Sequence, residues 1–227
     1  MALGLGGKQV VITGGDGALG RAVVEAFAAG GATCHLPILG APGTESGLTV
    51  RITGNVDLAD DGAVSGYFAG LPPLWASVHL AGGYLAKPIG ETSRADLDRQ
   101  LELNLVTAFL SCREAVKAMR KSGGGRIVNV AARVVEVPTA GAMAYSVSKA
   151  GVAALTRSLA AEVRGDGILV NAILPSIIDT PANRAAMPKA DTARWPRPEE
   201  LARAILWLAS PENRLTSGAL VPVYGNA

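Results

Sequence analysis

Tyr145 and Lys149 stand four residues apart in a stretch with helical periodicity, so a phenol and an ammonium share one face. An unperturbed phenol holds its proton to about pH 10 and is a poor acid at neutrality. A neighbouring ammonium favours the phenolate and brings that value toward the working range. The pair therefore predicts general acid–base chemistry, with Tyr145 as proton donor and Lys149 as its tuner. The same spacing is common on solvated helix faces. This pair differs in following a continuous apolar strand, in a chain that also carries a glycine-rich turn.

That turn comes early. Residues 10–13 read as a strand and run into Gly14-Gly15-Asp16-Gly17-Ala18-Leu19-Gly20, and an amphipathic helix begins at Leu19. Glycines let such a turn tighten and let backbone N–H groups approach a pyrophosphate. The helix N-terminus beyond adds partial positive charge. A glycine turn need not hold a ligand, but one between a first strand and a helix predicts a dinucleotide site. The second strand normally ends on an acidic residue for the ribose hydroxyls; here it runs Cys34-His35-Leu36-Pro37-Ile38-Leu39, with no carboxylate and no arginine. The expected cofactor is NAD or NADP, the choice left open. His35 has no second metal-type residue beside it and reads as a strand residue, so no metal is expected.

The elements that must position these groups alternate. Strands are expected at residues 10–13, 33–36, 49–53, 77–80, 126–130, 169–174 and 220–223. Helices are expected at 19–29, near 60–69, over one long stretch at 96–121, at 144–164 and at 198–210. Strands apolar throughout are buried on both faces, as in a parallel sheet covered by helices. The expectation is an α/β fold: a single doubly wound (Rossmann) domain over residues 1–227, with a mostly parallel seven-stranded sheet and helices on both faces. An irregular stretch at 175–197 contains four prolines and reads as a substrate-side loop or lid.

Composition narrows the functional classes. The chain is 49% apolar and 18% charged, with a net charge of +2 and no block of like charge, which argues against a nucleic-acid partner. Cys34 and Cys112 are isolated thiols without zinc or disulfide spacing. There is no basic-then-apolar leader and no run long enough to span a membrane. A cytoplasmic protein without membrane association is expected.

Over essentially its whole length the chain resembles the short-chain dehydrogenase/reductase family. Thr13-Gly14 with Gly20 is similar to the family's glycine fingerprint, which implies cofactor contacts at Gly14, Asp16, Ala18 and Leu19. Asp57-Leu58 sits where the adenine-contacting Asp lies, and His79-Leu80-Ala81-Gly82-Gly83 resembles the Asn-Asn-Ala-Gly strand end. Tyr145 and Lys149 match the acid/base pair, with Lys149 also implied to bond the nicotinamide ribose. Asn104 matches the helix Asn that supports a water-linked proton relay. Pro175, Ile178 and Thr180 fall in the segment that contacts the carboxamide. Three departures stand out: Ala18 replaces the middle fingerprint Gly, His79 an Asn that ties strands together, and Ala132 the catalytic Ser thirteen residues before the Tyr.

The dihydropteridine reductase-like subgroup shares that glycine turn and lacks the Ser. Its substrate-side loop resembles the run from Asp179 through Asn183, Arg184 and Met187, with Trp195 beyond. Asn183, Arg184, Met187 and Trp195, with Ala132, are the implied substrate-side residues, although the loop residues could equally pack against the helix from Pro198. The subgroup ends its second strand on an Asp, which this chain lacks. The implied function is NAD(P)H-dependent hydride transfer to a carbonyl or quinonoid imine. The alternatives are an ordinary ketoreductase or alcohol dehydrogenase, or a nucleotide-binding regulatory protein. A small-molecule substrate and self-association as a homodimer or homotetramer are also implied.

Overall fold

The computed structural model describes residues 3–41 and 49–226. The ends of the expected 1–227 domain, at Met1, Ala2 and Ala227, lie outside the described residues. Seven strands form one sheet: β1 (Gln9–Thr13), β2 (Thr33–Pro37), β3 (Val50–Thr53), β4 (Ala76–His79), β5 (Gly125–Val130), β6 (Ile168–Pro175) and β7 (Leu220–Val223). Their order is β3-β2-β1-β4-β5-β6-β7, and every neighbouring pair runs parallel. The sheet is thus parallel throughout rather than mostly so. The order reverses between β1 and β4, which opens a crevice at their carboxyl ends.

Strand alternation sorts the core. Val10 and Ile12 of β1 face α1 (Ala18–Ala29), with Val23 and Phe27, and Val11 faces the opposite side. There Val64 and Phe68 of α2 (Asp61–Ala69) pack against it. Burying a side chain of the size of Phe27 is worth about 2–3 kcal/mol. α7 (Pro198–Ala209) joins α1 on the first face through Leu201, Ile205 and Leu208. The strands therefore read as continuous apolar runs because both sides are covered.

The long helix expected at 96–121 is interrupted. α3 (Arg94–Leu101) starts at Ser93, whose side chain and that of Asp96 cap each other's backbone N–H. One π-helical turn, Glu102–Val106, follows, and then α4 (Thr107–Ser122). The polar start explains the difference in boundary, and the π turn is a widening that 3.6-residue periodicity does not register. α5 runs Met143–Glu162. The stretch expected to be irregular carries the last residue of β6, a short helix α6 (Pro181–Ala186) with Pro181 at its first position, and a 3₁₀ turn at Thr192–Arg194.

Candidate active site

The carboxyl ends of β1, β4, β5 and β6 converge on one edge, and the sequence-implied groups sit there. After β1 the chain turns at Gly14, with φ +65, a conformation glycine adopts without strain. A Cβ at Gly14 would lie 2.7 Å from Ala81 N, so the glycine lets the first turn press against the end of β4. Thr13 Oγ accepts from Leu80 N at 3.2 Å and Ala81 N at 3.3 Å, pinning the same two segments. Gly17 caps α1 without a side chain, and no acidic residue occupies that helix's first turn. The N–H groups and positive dipole end at Ala18 and Leu19 are thus free for an anion, and the cradle fits a dinucleotide pyrophosphate. Asp16 is exposed at the rim, and its carbonyl accepts from Arg21 Nε. Asp57 is exposed and caps its own turn through Ala59 N, while Leu58 packs on the α2–α4 core.

The second group gathers around Gly82. Asn104 is buried inside the π turn; its Oδ1 accepts from Gly83 N at 3.1 Å and its Nδ2 donates to Gly83 O at 3.0 Å. Nδ2 also lies 3.1 Å from Ser148 Oγ, which ties β4's exit to α5. A Cβ on Gly82 would come within 2.5 Å of Asn104 Oδ1 and 3.5 Å of Lys149 Nζ, so only glycine lets these three meet. Lys149 Nζ donates to Val130 O at 2.9 Å and lies 5.9 Å from the Tyr145 ring centroid. Burial brings the Lys149 ammonium down to about 8.

Here one expectation is corrected. Lys149 does not lower the Tyr145 phenol in this arrangement: burial, with Tyr84 adding to it, pushes Tyr145 up to about 12. The ammonium is turned to the Val130 carbonyl, and desolvation outweighs any help from a charge beyond hydrogen-bond reach. Tyr84 sits edge-on to Tyr145, ring centroids 4.9 Å apart at 79°, yet is 64% exposed. The sequence reading passed over this ring; its only signal was an aromatic residue directly after Gly83.

Ala132 ends the approach from β5, buried, and presents only a methyl group. The loop side is less uniform. Thr180 Oγ1 caps α6 by accepting from Asn183 N, and Asn183 Nδ2 donates to Ile178 O. Arg184 is spent on Asp179, and Trp195 is buried, as expected of a packing residue. Met187 is half-buried at the end of α6. Pro175 stays in register with Val223 of β7.

His79 takes over strand tying. Its Nδ1 donates to Asn129 Oδ1 and its Nε2 accepts from Ser77 Oγ, both at 2.8 Å, a tautomer the network dictates. Asn129 Nδ2 continues to Thr156 Oγ1, so β4, β5 and α5 are linked through polar side chains. Burial lowers His79 to about 4, and it stays neutral. His35 bonds Gln9 Oε1 from β2 to β1. Among the described residues no helix is long and apolar enough to cross a membrane.

Known proteins resemble this chain over nearly its whole length. A family model described as enoyl-(acyl carrier protein) reductase matches residues 15–225. Galactitol 2-dehydrogenase of Rhizobium johnstonii is 36% identical over 243 residues, covering 96% of this chain and 94% of that protein. D-threitol dehydrogenase of Mycolicibacterium smegmatis is 31% identical over 242 residues, covering 97% and 93%. A structure of 3-oxoacyl-(acyl-carrier-protein) reductase from Agrobacterium tumefaciens with NADP bound matches with a TM-score of 0.89 at 26% identity. That match covers 100% of this chain and 96% of the other.

Proposed function

The chain belongs to the short-chain dehydrogenase/reductase family, and from that premise we propose an NAD(P)H-dependent reductase for a flat, electron-poor carbonyl or quinonoid imine, as in the dihydropteridine reductase-like subgroup. The observation that carries this reading is Ala132. A hydroxyl there would stabilise the charge that builds on an acceptor oxygen as hydride arrives. A quinonoid acceptor spreads that charge and regains aromaticity, so it needs no such donor.

When bound, the reduced nicotinamide would supply the hydride. Gly14, Asp16, Ala18 and Leu19 would hold the pyrophosphate end, and Asp57 and Leu58 the adenine end. Ala81, Gly82, Gly83, Pro175, Ile178 and Thr180 would hold the nicotinamide half, with Lys149 on its ribose. Tyr145 is the group assigned to give its proton to the acceptor heteroatom; burial keeps the phenol protonated, and it is the negative charge building on the acceptor that draws the proton away. Asn104 holds Gly83 and borders the route by which Lys149 restores that proton. On the substrate side we assign Ala132 and Met187, with Asn183 and Arg184 available only on leaving Ile178 and Asp179. Trp195 supports the loop from below. The two buried thiols suit the reducing cytoplasm to which we assign the protein.

The test compares kcat/KM for a quinonoid dihydropterin and a simple ketone. Losing one charge-stabilising donor costs on the order of a hundredfold or more, so the quinonoid should win by about that margin and Ala132→Ser should narrow it. Efficient ketone or polyol turnover by the parent protein would favour the alternative, an ordinary alcohol dehydrogenase, to which the names of the sugar-alcohol relatives point.

Cofactor choice follows from β2. It ends at Pro37, with Ile38 and Leu39 next, so neither a carboxylate repels a 2′-phosphate nor an arginine attracts it there. NADH and NADPH should differ by less than about tenfold in kcat/KM, or about 1.4 kcal/mol. A several-hundredfold preference would mean that another residue reads the ribose.

We also propose a homodimer or homotetramer. Val106 and Phe109 at the start of α4, with Met143 and Val147 on α5, are large apolar side chains left exposed. Such a face is normally covered by a second copy. Light scattering at micromolar concentration should read at least a dimer, and a monomer throughout would overturn the proposal.

A further inference from the structure

At the edge of the sheet opposite the dinucleotide cradle, where β1, β4, β5 and β6 begin, lies a cavity of about 460 Å³. That volume suits a small metabolite. Among the described residues its charged lining side chains are Lys8 and Arg126, and none that lines it is acidic. Arg126 is 9% exposed, its Nε donating to Asn213 O at 3.0 Å and its Nη1 to Gly125 O at 2.9 Å. Those two neutral carbonyls satisfy part of the guanidinium's geometry and none of its charge. A guanidinium so far out of water without a counter-charge is costly to keep.

Trp75 fixes both cations. Lys8 Nζ lies 4.1 Å from the ring centroid and the Arg126 guanidinium 5.0 Å, while Trp75 Nε1 is anchored on Ala209 O. The rest of the wall is largely backbone. Gly123, Gly124 and Gly167 all have positive φ, and a Cβ on Gly124 would lie 2.7 Å from Gly167 O. These three glycines bring no side chain to the lining.

We propose that this cavity is a binding site for a small phosphate-bearing anion, inorganic phosphate or a phosphomonoester. The spare N–H groups of Arg126 would form a fork to two phosphate oxygens, with Lys8 supplying the second charge. Two cations lining one cavity match a dianion better than a carboxylate, and the volume leaves room for the organic part of an ester.

The site is separate from the hydride-transfer centre, so its test must be too. Inorganic phosphate and glycerol phosphate are titrated calorimetrically into the protein saturated with NADH at constant ionic strength, with acetate as the carboxylate control. Saturable phosphate binding that persists with NADH bound is expected, either tighter for the ester or equal for both. Lys8→Met should weaken it on the order of tenfold and leave acceptor turnover unchanged. Arg126→Met should abolish it, and if that variant fails to fold, Lys8→Met carries the test. No saturable binding, loss of binding on NADH addition, acetate binding as well as phosphate, or Lys8→Met binding like the parent would each overturn the proposal.

Discussion

Tyr145→Phe should lower turnover by about 10²–10⁴-fold, the usual worth of a positioned general acid, while dinucleotide affinity barely moves. The reasoning rests on what the ring does besides carrying a proton. Its edge contact with Tyr84 and its place on α5 need only the aromatic body, which Phe retains. Lys149, bonded to the Val130 carbonyl rather than to the phenol, loses no partner. Steady-state kinetics with a fluorescence titration of NADH would separate the two effects. Wild-type rates in the Phe variant would remove Tyr145 from the chemistry. An equal loss in affinity would mean that its hydroxyl holds the cofactor rather than the acceptor's proton.

Gly20→Ala should be the most damaging added methyl among the described glycines. A Cβ at Gly20 would be driven into the carbonyl oxygen of Gly14 and against the backbone of Gly15. Both obstacles are main chain in the turn that α1 rests on, so neither can swing aside as a side chain would. Either the turn opens or α1 lifts from the sheet, and each separates the glycine cradle from the N–H groups of Ala18 and Leu19. A loss of about 3 kcal/mol or more of stability is expected, with dinucleotide binding falling in step. Thermal unfolding read with and without NADH would check it. An unchanged melting temperature would mean that the turn is far softer than its packing implies. Gly17→Ala is the matched control, since a Cβ there comes no closer than 3.4 Å to Gly14 O.

The fold was legible because its signals repeat. Both-faced burial makes each strand an apolar run, and Val10, Val11 and Ile12 show in three residues why no polar alternation appears. The glycine turn was legible for a steric reason: Gly14 and Gly20 stand where a side chain cannot. What could not be read was anything decided by direction in space. The spacing of Tyr145 and Lys149 gives a shared helix face but not where a long flexible amine points, and it points to Val130. For Asn183 and Arg184 substrate lining and loop packing stood equally open in the sequence, and a short helix starting at Pro181 brings each within reach of its own loop. Tyr84 had no partner in sequence at all; it meets Tyr145 only because β4 ends and α5 begins on the same edge.

The π turn at Glu102–Val106 amounts to one residue more than an unbroken α-helix would use. Each added residue rotates everything beyond it by about 100°, so α3 and α4 are one rod with two phases. The first half turns toward α5, and the second presents Leu110, Ala115 and Met119 to the sheet and α2. Asn104 lies in the slack between them, where a widened coil gives its amide room to reach Gly83. Length in this segment is therefore more tightly constrained than composition. A conservative exchange within it alters one contact, whereas a one-residue deletion re-indexes the whole of α4 against its neighbours.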